Sequence, residues 1–335
     1  MISFHELVKE VLTDHQPAVL ATIIHVDGSA YRKKGACMLV KQDGSRVGLL
    51  SGGCLESDVY SRAQEIFDTG KAEIYRYDLS AEDDLGWGTG AGCNGIISVL
   101  VRDIDLAFRQ SLTILIRQLE KIEPILFIQS VSNVTKYIFI NESGDTFGHW
   151  QGDLPIERKD ILQFTPPFHQ HAGMQTNGEE AFYFQVIWPQ PNLYIIGAGE
   201  DARPLAQLAG QTGYAVHMLD WREALCSKLN FPTANSLYVG NIEETIQNIA
   251  FHPLDSVVIM THDFQRDMKI LQYLKKLPFF YIGILGSRKR TERVMDGQIP
   301  PWLQSPVGLS IGAEGPEEIA VSIVAELIAA RRRNE

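Results

Sequence analysis

The apolar positions of the chain follow two different patterns, which meet near residue 189. Before that point most apolar runs are short, rich in β-branched and aromatic residues and bounded by polar turns, which is typical of strands. We predict strands at residues 18–26, 37–40, 47–50, 72–77, 96–101, 125–131, 137–140 and 182–188, and helices over about 3–12, 54–68 and 104–121. Residues 150–180 are polar, and their pattern predicts no element.

After residue 189, apolar runs alternate with helical patterns as far as the last residues. Pro189 and Pro191 stiffen the backbone and block a helix, so they mark the best candidate for a linker. Strand patterns occur at residues 192–196, 214–219, 237–239, 256–261 and 279–285, and a last helix is predicted from Gly315. This alternation is the order of a doubly wound parallel sheet.

The first apolar run of this second part leads directly into a glycine turn. Gly197, Gly199 and Ala202 form a Gly-x-Gly-x-x-Ala pattern, and a helical pattern, a second apolar run and Asp220 follow. In the dinucleotide-binding unit with this order, the glycines let the backbone approach a pyrophosphate and the acid binds a ribose hydroxyl. We therefore predict an α/β protein, with an N-terminal α/β domain at 1–188 and a Rossmann-like domain at 189–335.

The residues after the glycines leave the presence of a nucleotide open. Glu200 and Asp201 stand where the anionic pyrophosphate would lie. Because proline is tolerated only in the first turn of a helix, Pro204 predicts a helix that starts near Asp201. Asp201 would then be the N-cap, and its carboxylate would accept the N–H groups that a phosphate would use. The two interpretations are a self-capped turn and a site for the phosphate of a nucleotide or pterin.

Composition narrows the class of protein. The chain has 335 residues, of which 45% are hydrophobic and 21% charged, and its net charge of −11 argues against a broad nucleic-acid surface. We see no apolar run long enough to span a membrane and no signal peptide. The four cysteines are widely spaced, which favours reduced thiols in the cytoplasm over a disulfide framework.

Four polar segments should meet at the carboxyl ends of the predicted parallel strands, where such sheets bind ligands. They are residues 197–199, 220–222, 261–263 and 286–290. Ser287 and Arg288 belong to the main cationic cluster of the second domain and could hold a phosphate, or they could be a solvated helix start. His262 could act as an acid, base or hydrogen-bond donor, or it could serve only a turn.

Two glycine-rich segments of the first domain each carry a cysteine. Cys54 follows Gly52 and Gly53 at a predicted helix start, which favours the thiolate, so it could be a nucleophile, a sulfur carrier or a soft-metal ligand. Cys93 lies in the second such segment. The alternative for each is a small buried residue. Glu56 could act beside Cys54 or only favour its helix N-terminus.

The remaining two cysteines carry no such signal. Cys37 stands on an apolar strand pattern and Cys226 on a helical one, so we interpret both as structural.

Several short motifs together resemble the xanthine dehydrogenase accessory family, which includes the carbon-monoxide-dehydrogenase maturation proteins. The resemblance covers nearly the whole chain in the order of the family. The motifs are Gly28-Ser29, Gly35-Ala36-Cys37-Met38, Ser51-Gly52-Gly53-Cys54-Leu55-Glu56, Met260-Thr261-His262-Asp263, Gly283, Leu285-Gly286-Ser287, Gly312-Ala313 and Pro316-Glu317-Glu318-Ile319-Ala320.

The resemblance implies an N-terminal accessory domain followed by a Rossmann-like domain. It also implies a chaperone that binds the molybdenum cofactor in its molybdopterin form, assists its sulfuration with a cysteine desulfurase, and delivers it to the apoenzyme of a xanthine dehydrogenase-type molybdenum hydroxylase. We expect a cytoplasmic homodimer. Molybdopterin carries a phosphate and two sulfurs that ligate molybdenum, so the cationic turn and an exposed thiol suit it.

Two other classes of function remain open from the sequence. One is an NAD-dependent oxidoreductase in which Asp220 selects NAD and His262 is the acid–base group. The other is a cysteine-dependent transferase that works through Cys54.

Overall fold

The computed structural model describes residues 4–53, 55–79, 95–155, 168 and 171–332. The chain divides into two compact units: Gln190–Glu335 makes up most of one, and Ile2–Pro166 with Gln170–Pro189 makes up the other. Because compactness alone does not show that either part folds independently, the division into domains at residues 188 and 189 stays a prediction. Each unit is described by itself.

The first unit contains two five-stranded antiparallel sheets. The first sheet has the order β3-β2-β1-β5-β4. Its strands are β1 (Ala18–Gly28), β2 (Cys37–Lys41), β3 (Arg46–Gly48), β4 (Ala72–Asp78) and β5 (Gly95–Asp103), and the helices beside it are α1 (Phe4–Thr13) and α2 (Glu56–Ala63). Alternate residues of β1 and β2 pack against α1 on one face and α2 on the other.

Helix α2 ends at Ala63, earlier than the sequence pattern predicts. The carboxylate of Asp103 accepts hydrogen bonds from the N–H groups of Asp68 (3.3 Å) and Gly70 (2.8 Å). Asp68 has a left-handed φ of +57°. The segment is therefore turned towards the end of β5 instead of continuing as a helix.

The second sheet has the order β8-β7-β6-β10-β9. Its strands are β6 (Ile125–Ser130), β7 (Tyr137–Asn141), β8 (Thr146–His149), β9 (Ala172–Asn177) and β10 (Glu180–Ile187), and α3 (Leu106–Leu119) packs on it. The sequence pattern missed β8 and β9. Both are edge strands with mostly exposed or half-buried residues, so neither shows the alternation of a half-buried strand.

The second unit is a six-stranded parallel sheet with helices on both faces, which confirms the predicted fold class. The strand order is β13-β12-β11-β14-β15-β16. The strands are β11 (Asn192–Ile196), β12 (Ala215–Asp220), β13 (Ser236–Val239), β14 (Ser256–Ile259), β15 (Tyr281–Ile284) and β16 (Leu303–Gln304), and the helices are α4 (Ala202–Gln211), α5 (Ile242–Asn248), α6 (Phe264–Leu274), α7 (Arg288–Val294) and α8 (Gly315–Arg332).

Apolar residues of the two faces form separate cores. Helices α4 and α8 pack on one face, and α5, α6 and α7 pack on the other. The strand order reverses between β11 and β14, so the loops that follow these two strands diverge and leave a crevice at the carboxyl edge. The predicted site residues of this unit lie in the loops at that edge.

Candidate functional site

The glycine turn after β11 is shaped by packing. Gly197 has a φ of +115°, and a Cβ at this position would lie 2.4 Å from the carbonyl oxygen of Met260. Only glycine allows the ends of β11 and β14 to come this close. A Cβ on Gly199 would lie 2.6 Å from Oδ1 of Asp201, so the Asp201 side chain covers this glycine.

The prediction that Asp201 caps helix α4 with its own carboxylate was wrong. Asp201 has helical angles (φ −69°, ψ −19°) and makes no side-chain cap hydrogen bond. The carbonyl oxygens of Gly199 and Glu200 accept the N–H groups of Ala202 and Arg203 instead. A cap side chain reaches back to these N–H groups only from an extended backbone, so a helical Asp201 points elsewhere.

Asp201 reaches across to the loop after β14. Its Oδ2 lies 2.7 Å from Nε2 of His262, whose side chain is 62% exposed. His262 has a left-handed φ of +57°, a conformation that is unfavourable for a residue other than glycine. The pair joins the two loops on either side of the crevice, where both ligand contacts and proton transfer by His262 are chemically possible.

Asp220 lies beneath the glycine turn, with its side chain inaccessible to solvent. Its Oδ2 accepts hydrogen bonds from the N–H of Ala198 (2.6 Å) and Nη2 of Arg222 (2.7 Å). Its Oδ1 accepts from the backbone N–H (2.8 Å) and Nε (2.9 Å) of Arg222. Burial alone would raise the pKa of Asp220, but the hydrogen bonds from Arg222 and Ala198 outweigh it and hold that pKa below its usual value.

Both oxygens of Asp220 therefore hold the turn together. The contact of Asp220 with a ribose hydroxyl stays a prediction. The same holds for the cofactor-binding roles of Gly197, Gly199 and His262.

The cationic segment after β15 is used in part by the fold. Arg290 Nη1 lies 2.7 Å from Oδ2 of the buried Asp267, which also accepts a short hydrogen bond from the hydroxyl of Thr261. Burial raises the pKa of Asp267 although Arg290 opposes the shift. This network joins helices α6 and α7 to the loop after β14. The sequence reasoning missed Asp267, because a single acid in a helical pattern gives no sign of its partner.

Ser287 and Arg288 start helix α7. The hydroxyl of Ser287 accepts a hydrogen bond from the N–H of Arg290 (3.3 Å), so Ser287 caps the helix. Arg288 is 70% exposed and contacts Glu292 at 3.3 Å. Because an exposed ion pair contributes little, the guanidinium of Arg288 can exchange Glu292 for an anion.

A cleft of about 550 Å³ opens beside the same edge of the sheet. We call it the Trp221 cleft. Its walls come from the loops after β12, β13 and β14 and from helices α5 and α6. It is lined by Trp221, Asn241, Ile242, Glu243, Asp263, Gln265, Arg266, Lys269 and Ile270. The sequence analysis placed Trp221 in one of the four segments expected at this edge but gave it no role, because one tryptophan after a strand has no distinctive pattern.

In the first unit, a buried carboxylate holds the loop that leads to residue 54. Oε1 of Glu56 accepts hydrogen bonds from the N–H groups of Leu50 (3.1 Å) and Ser51 (2.7 Å), and Oε2 accepts from the Ser51 hydroxyl (2.6 Å). Burial alone would raise the pKa of Glu56, but the Ser51 and backbone hydrogen bonds hold it below its usual value.

The Ser51 hydroxyl extends this network along the loop. Its oxygen accepts hydrogen bonds from the N–H groups of Gly53 and Leu55, both at 3.2 Å. Gly52 and Gly53 are exposed, and apart from the chain neighbours no atom of the described residues lies within 4 Å of a Cβ built on either. Cys54 and Cys93 lie outside the described residues.

The two other cysteines are buried in hydrophobic cores. Burial raises the pKa of the Cys37 and Cys226 thiols to about 11, so neither is a thiolate near neutral pH. Within the part of the chain that the structure describes, no group of three His, Cys, Asp or Glu side chains could hold a metal ion, and no helix is long and apolar enough to cross a membrane.

Three family models match consecutive parts of the chain. The model of the XdhC and CoxI family matches residues 11–78, the BH1974-like central domain matches 106–188, and the XdhC Rossmann domain matches 193–327.

Two curated relatives match nearly the whole chain. It is 44% identical over 341 residues to a probable xanthine dehydrogenase subunit of Bacillus subtilis, covering 99% of both proteins. It is 25% identical over 334 residues to the molybdenum cofactor insertion chaperone PaoD of Escherichia coli, covering 97% of this chain and 87% of PaoD. A crystal structure described as a xanthine dehydrogenase (BH1974) from Bacillus halodurans superposes with a TM-score of 0.88 at 41% identity, covering 100% of this chain and 97% of that one.

Proposed function

Because the chain belongs to the XdhC and CoxI family, we propose that it binds the molybdenum cofactor and takes part in the maturation of a xanthine dehydrogenase-type molybdenum hydroxylase. The observation that carries this proposal is the full-length similarity to two proteins whose names describe xanthine dehydrogenase and molybdenum cofactor insertion. In this role the cofactor is cargo, and the chain holds and releases it without turning over a substrate.

Two chemical features of that cargo suit residues of this chain. A phosphate needs an accessible cation, and Arg288 is exposed and only weakly paired, next to the helix-capping Ser287. A molybdenum centre with sulfur ligands suits a thiolate, and Cys54 follows an open, glycine-containing loop. In the Rossmann-like part of the chain, Ser287 and Arg288 are our candidates for the phosphate. Separately, Cys54 is our candidate for the metal or its sulfur in the N-terminal part, with Cys93 as a second candidate thiol.

Glu56 supports the assignment of Cys54. Its carboxylate fixes Leu50 and Ser51, and the Ser51 hydroxyl fixes Gly53 and Leu55, which flank residue 54 in sequence. Hydrogen bonds that fix the neighbouring backbone reduce the conformational entropy that this loop loses on binding. Glu56 is thus a positioning residue in this proposal.

Two further proposals concern sulfuration and the assembly of the protein. We propose that Cys54 assists sulfuration together with a cysteine desulfurase, and that the protein acts as a cytoplasmic homodimer that meets the hydroxylase apoenzyme. Light scattering coupled to size-exclusion chromatography tests the dimer, and co-purification with each partner tests the encounters.

No observation favours an NAD-dependent oxidoreductase. Both oxygens of Asp220 already accept hydrogen bonds, and its side chain is inaccessible to solvent. A ribose diol would have to displace Arg222 from a buried carboxylate, which is unfavourable.

A titration of the reduced, purified protein with molybdenum cofactor tests the proposal. We expect saturable binding that weakens about tenfold or more in Cys54→Ser and about three- to tenfold in Arg288→Ala, because a hydrogen bond to a charged group contributes about 1.5–3 kcal/mol before solvent screening of the exposed arginine. Lys275→Ala, which removes an exposed cation from another helix end, should bind like the unchanged protein. Absence of saturable binding by the unchanged protein would refute the proposal.

A further inference from the structure

We propose that the Trp221 cleft binds a planar heteroaromatic ring that carries a phosphate ester. Two ligands share this chemistry: the pterin of the molybdenum cofactor and the base of a nucleotide. The pterin source rests on the proposed function, whereas the nucleotide source does not.

The cleft lies where open parallel sheets bind small molecules. Trp221 follows the end of β12, Asn241 follows the end of β13 and Asp263 follows the end of β14, so three carboxyl ends of the sheet contribute to its walls. Its volume of about 550 Å³ fits a bicyclic ring with a short phosphorylated substituent.

The wall of the cleft contains a stack of flat side chains. The guanidinium carbon of Arg266 lies 3.9 Å from the centre of the Trp221 ring, and that of Arg222, which does not line the cleft, lies 4.4 Å from it. Trp221 is packed in part against the apolar core, and the carboxylate of Asp263 holds Arg266. The stack is therefore fixed before a ligand arrives. A heteroaromatic ring extends such a stack through its π-face.

Polar groups around the stack can bind the edge of the ring. The amides of Asn241 and Gln265 and the carboxylate of Glu243 line the same cleft. Together they supply donors and acceptors, which a pterin or a nucleobase requires and a hydrocarbon ring does not. The side chain of Asn241 is itself held, because its Oδ1 accepts a hydrogen bond from the N–H of Glu243 at 2.9 Å.

The cations of the cleft can bind the phosphate, and for the pterin they are an alternative to Ser287 and Arg288. Arg266 and Lys269 are three residues apart on α6 and so share a face of that helix. Lys269 contacts Glu243 at 2.8 Å, and both side chains are about half exposed (52% and 45%). Such a pair is worth about 0–1 kcal/mol, so a phosphate can replace Glu243 at little cost. Arg222 differs, since its partner Asp220 is buried and would be left unpaired.

The test is a titration of the full-length protein with neopterin monophosphate, CMP, AMP and inorganic phosphate, followed by calorimetry and by tryptophan fluorescence. We expect at least one ring-bearing ester to bind more tightly than inorganic phosphate. Trp221→Leu should weaken this binding about tenfold or more, because stacking on an aromatic side chain contributes about 1–3 kcal/mol. Lys269→Gln should weaken it about three- to tenfold and reduce its dependence on salt.

The chain offers matched controls for both variants. Trp302→Leu removes another partly exposed tryptophan of the same unit, and Lys275→Gln removes another exposed lysine. Both should bind the ester like the unchanged protein. Thermal unfolding of every variant checks the fold, and Lys269 is exposed enough that Lys269→Gln keeps the test valid if Trp221→Leu is unstable.

Each outcome has a defined meaning. Binding of the pterin ester alone or of the nucleotides alone identifies the source of the ring. Equal binding of inorganic phosphate and the esters, no binding at all, or full affinity in folded Trp221→Leu and Lys269→Gln overturns the inference. If Trp221→Leu keeps full affinity for molybdenum cofactor, the proposed function survives and this inference fails for the pterin. If the unchanged protein binds the small esters but not the cofactor, the proposed function fails and this inference survives with nucleotides.

Discussion

Two glycine turns of this protein are held by a buried acid, yet they differ in what surrounds them. Asp220 accepts the N–H of Ala198 in the turn after β11, and Glu56 accepts the N–H groups of Leu50 and Ser51 before residue 54. At Gly197 a Cβ would lie 2.4 Å from a carbonyl oxygen, whereas among the described residues no atom beyond the chain neighbours lies within 4 Å of a Cβ on Gly52. The first turn is closed by the fold, and the second is open.

This difference shows that a glycine pattern has two possible causes. In the closed turn, glycine is required because two strand ends approach each other. In the open turn, the packing of the described residues does not require glycine at Gly52. In the Gly-x-Gly-x-x-Ala motif after β11, the packing of the fold is therefore enough to explain why Gly197 is a glycine.

Alanine substitutions at Gly197 and Gly52 should show the largest difference between a glycine that packing requires and one that it does not. We expect Gly197→Ala to lower the free energy of unfolding by about 3 kcal/mol or more, because it combines a left-handed φ with a backbone clash. Gly52→Ala should change it by less than about 0.5 kcal/mol, as for an exposed surface position. Urea unfolding measures both values. Equal effects of the two substitutions would contradict the distinction.

Removing the charge of the acid in the closed turn should have the next largest effect. Asp220→Asn should lower the free energy of unfolding by about 2–3 kcal/mol at pH 7, because hydrogen bonds to a buried charged group are lost. Glu223→Gln, at an exposed position nearby, is the control.

The loss of unfolding free energy in Asp220→Asn should depend on pH, because the pKa of Asp220 is lowered in the folded protein. A carboxyl group with a lower pKa in the folded state contributes stability above its unfolded pKa of about 4 and loses it as the pH falls through the folded value. The difference in the free energy of unfolding between the unchanged protein and Asp220→Asn should be constant from about pH 5 to 8 and shrink below about pH 4. Urea unfolding at several pH values measures it, and a constant difference down to about pH 2 would argue against an ionised Asp220.

The acid of the open turn should affect binding more than stability. Glu56→Gln should lower the free energy of unfolding by only about 1–2 kcal/mol, because glutamine still accepts one set of hydrogen bonds. We expect a larger relative loss in the affinity for molybdenum cofactor, measured by titration well below the unfolding temperature. Exposed Glu65→Gln is the control. Unchanged affinity in folded Glu56→Gln would show that the loop position does not matter for the cargo.

The sequence predicted the fold class well because the evidence for it is local. Runs such as residues 192–196 and the helical pattern after Gly199 are properties of neighbouring residues, and the parallel sheet confirms them. Edge strands β8 and β9 escaped because they bury few residues and show no alternation.

The candidate site was predicted in outline only. Gly197, Asp220 and His262 belong to segments that we predicted at the carboxyl edge of the sheet, and they lie there, as the strand order requires. Their partners were not predictable: Asp201 contacts His262 instead of its own helix, and Arg290 neutralises Asp267 instead of a phosphate. The roles of Cys54 and Cys93 stay predictions.

By itself, the sequence determined most of the strands and helices and where glycine turns interrupt them, since these depend on periodicity and backbone preference over a few residues. Only the tertiary structure decided which charged side chains are used by the fold and which can contact a ligand. In the sequence, Asp220, Glu56 and Arg290 cannot be distinguished from other acids and cations. Each is held by partners that only folding brings close. The Trp221 cleft arises in the same way, because its residues come from separate loops that meet only when the parallel strands align.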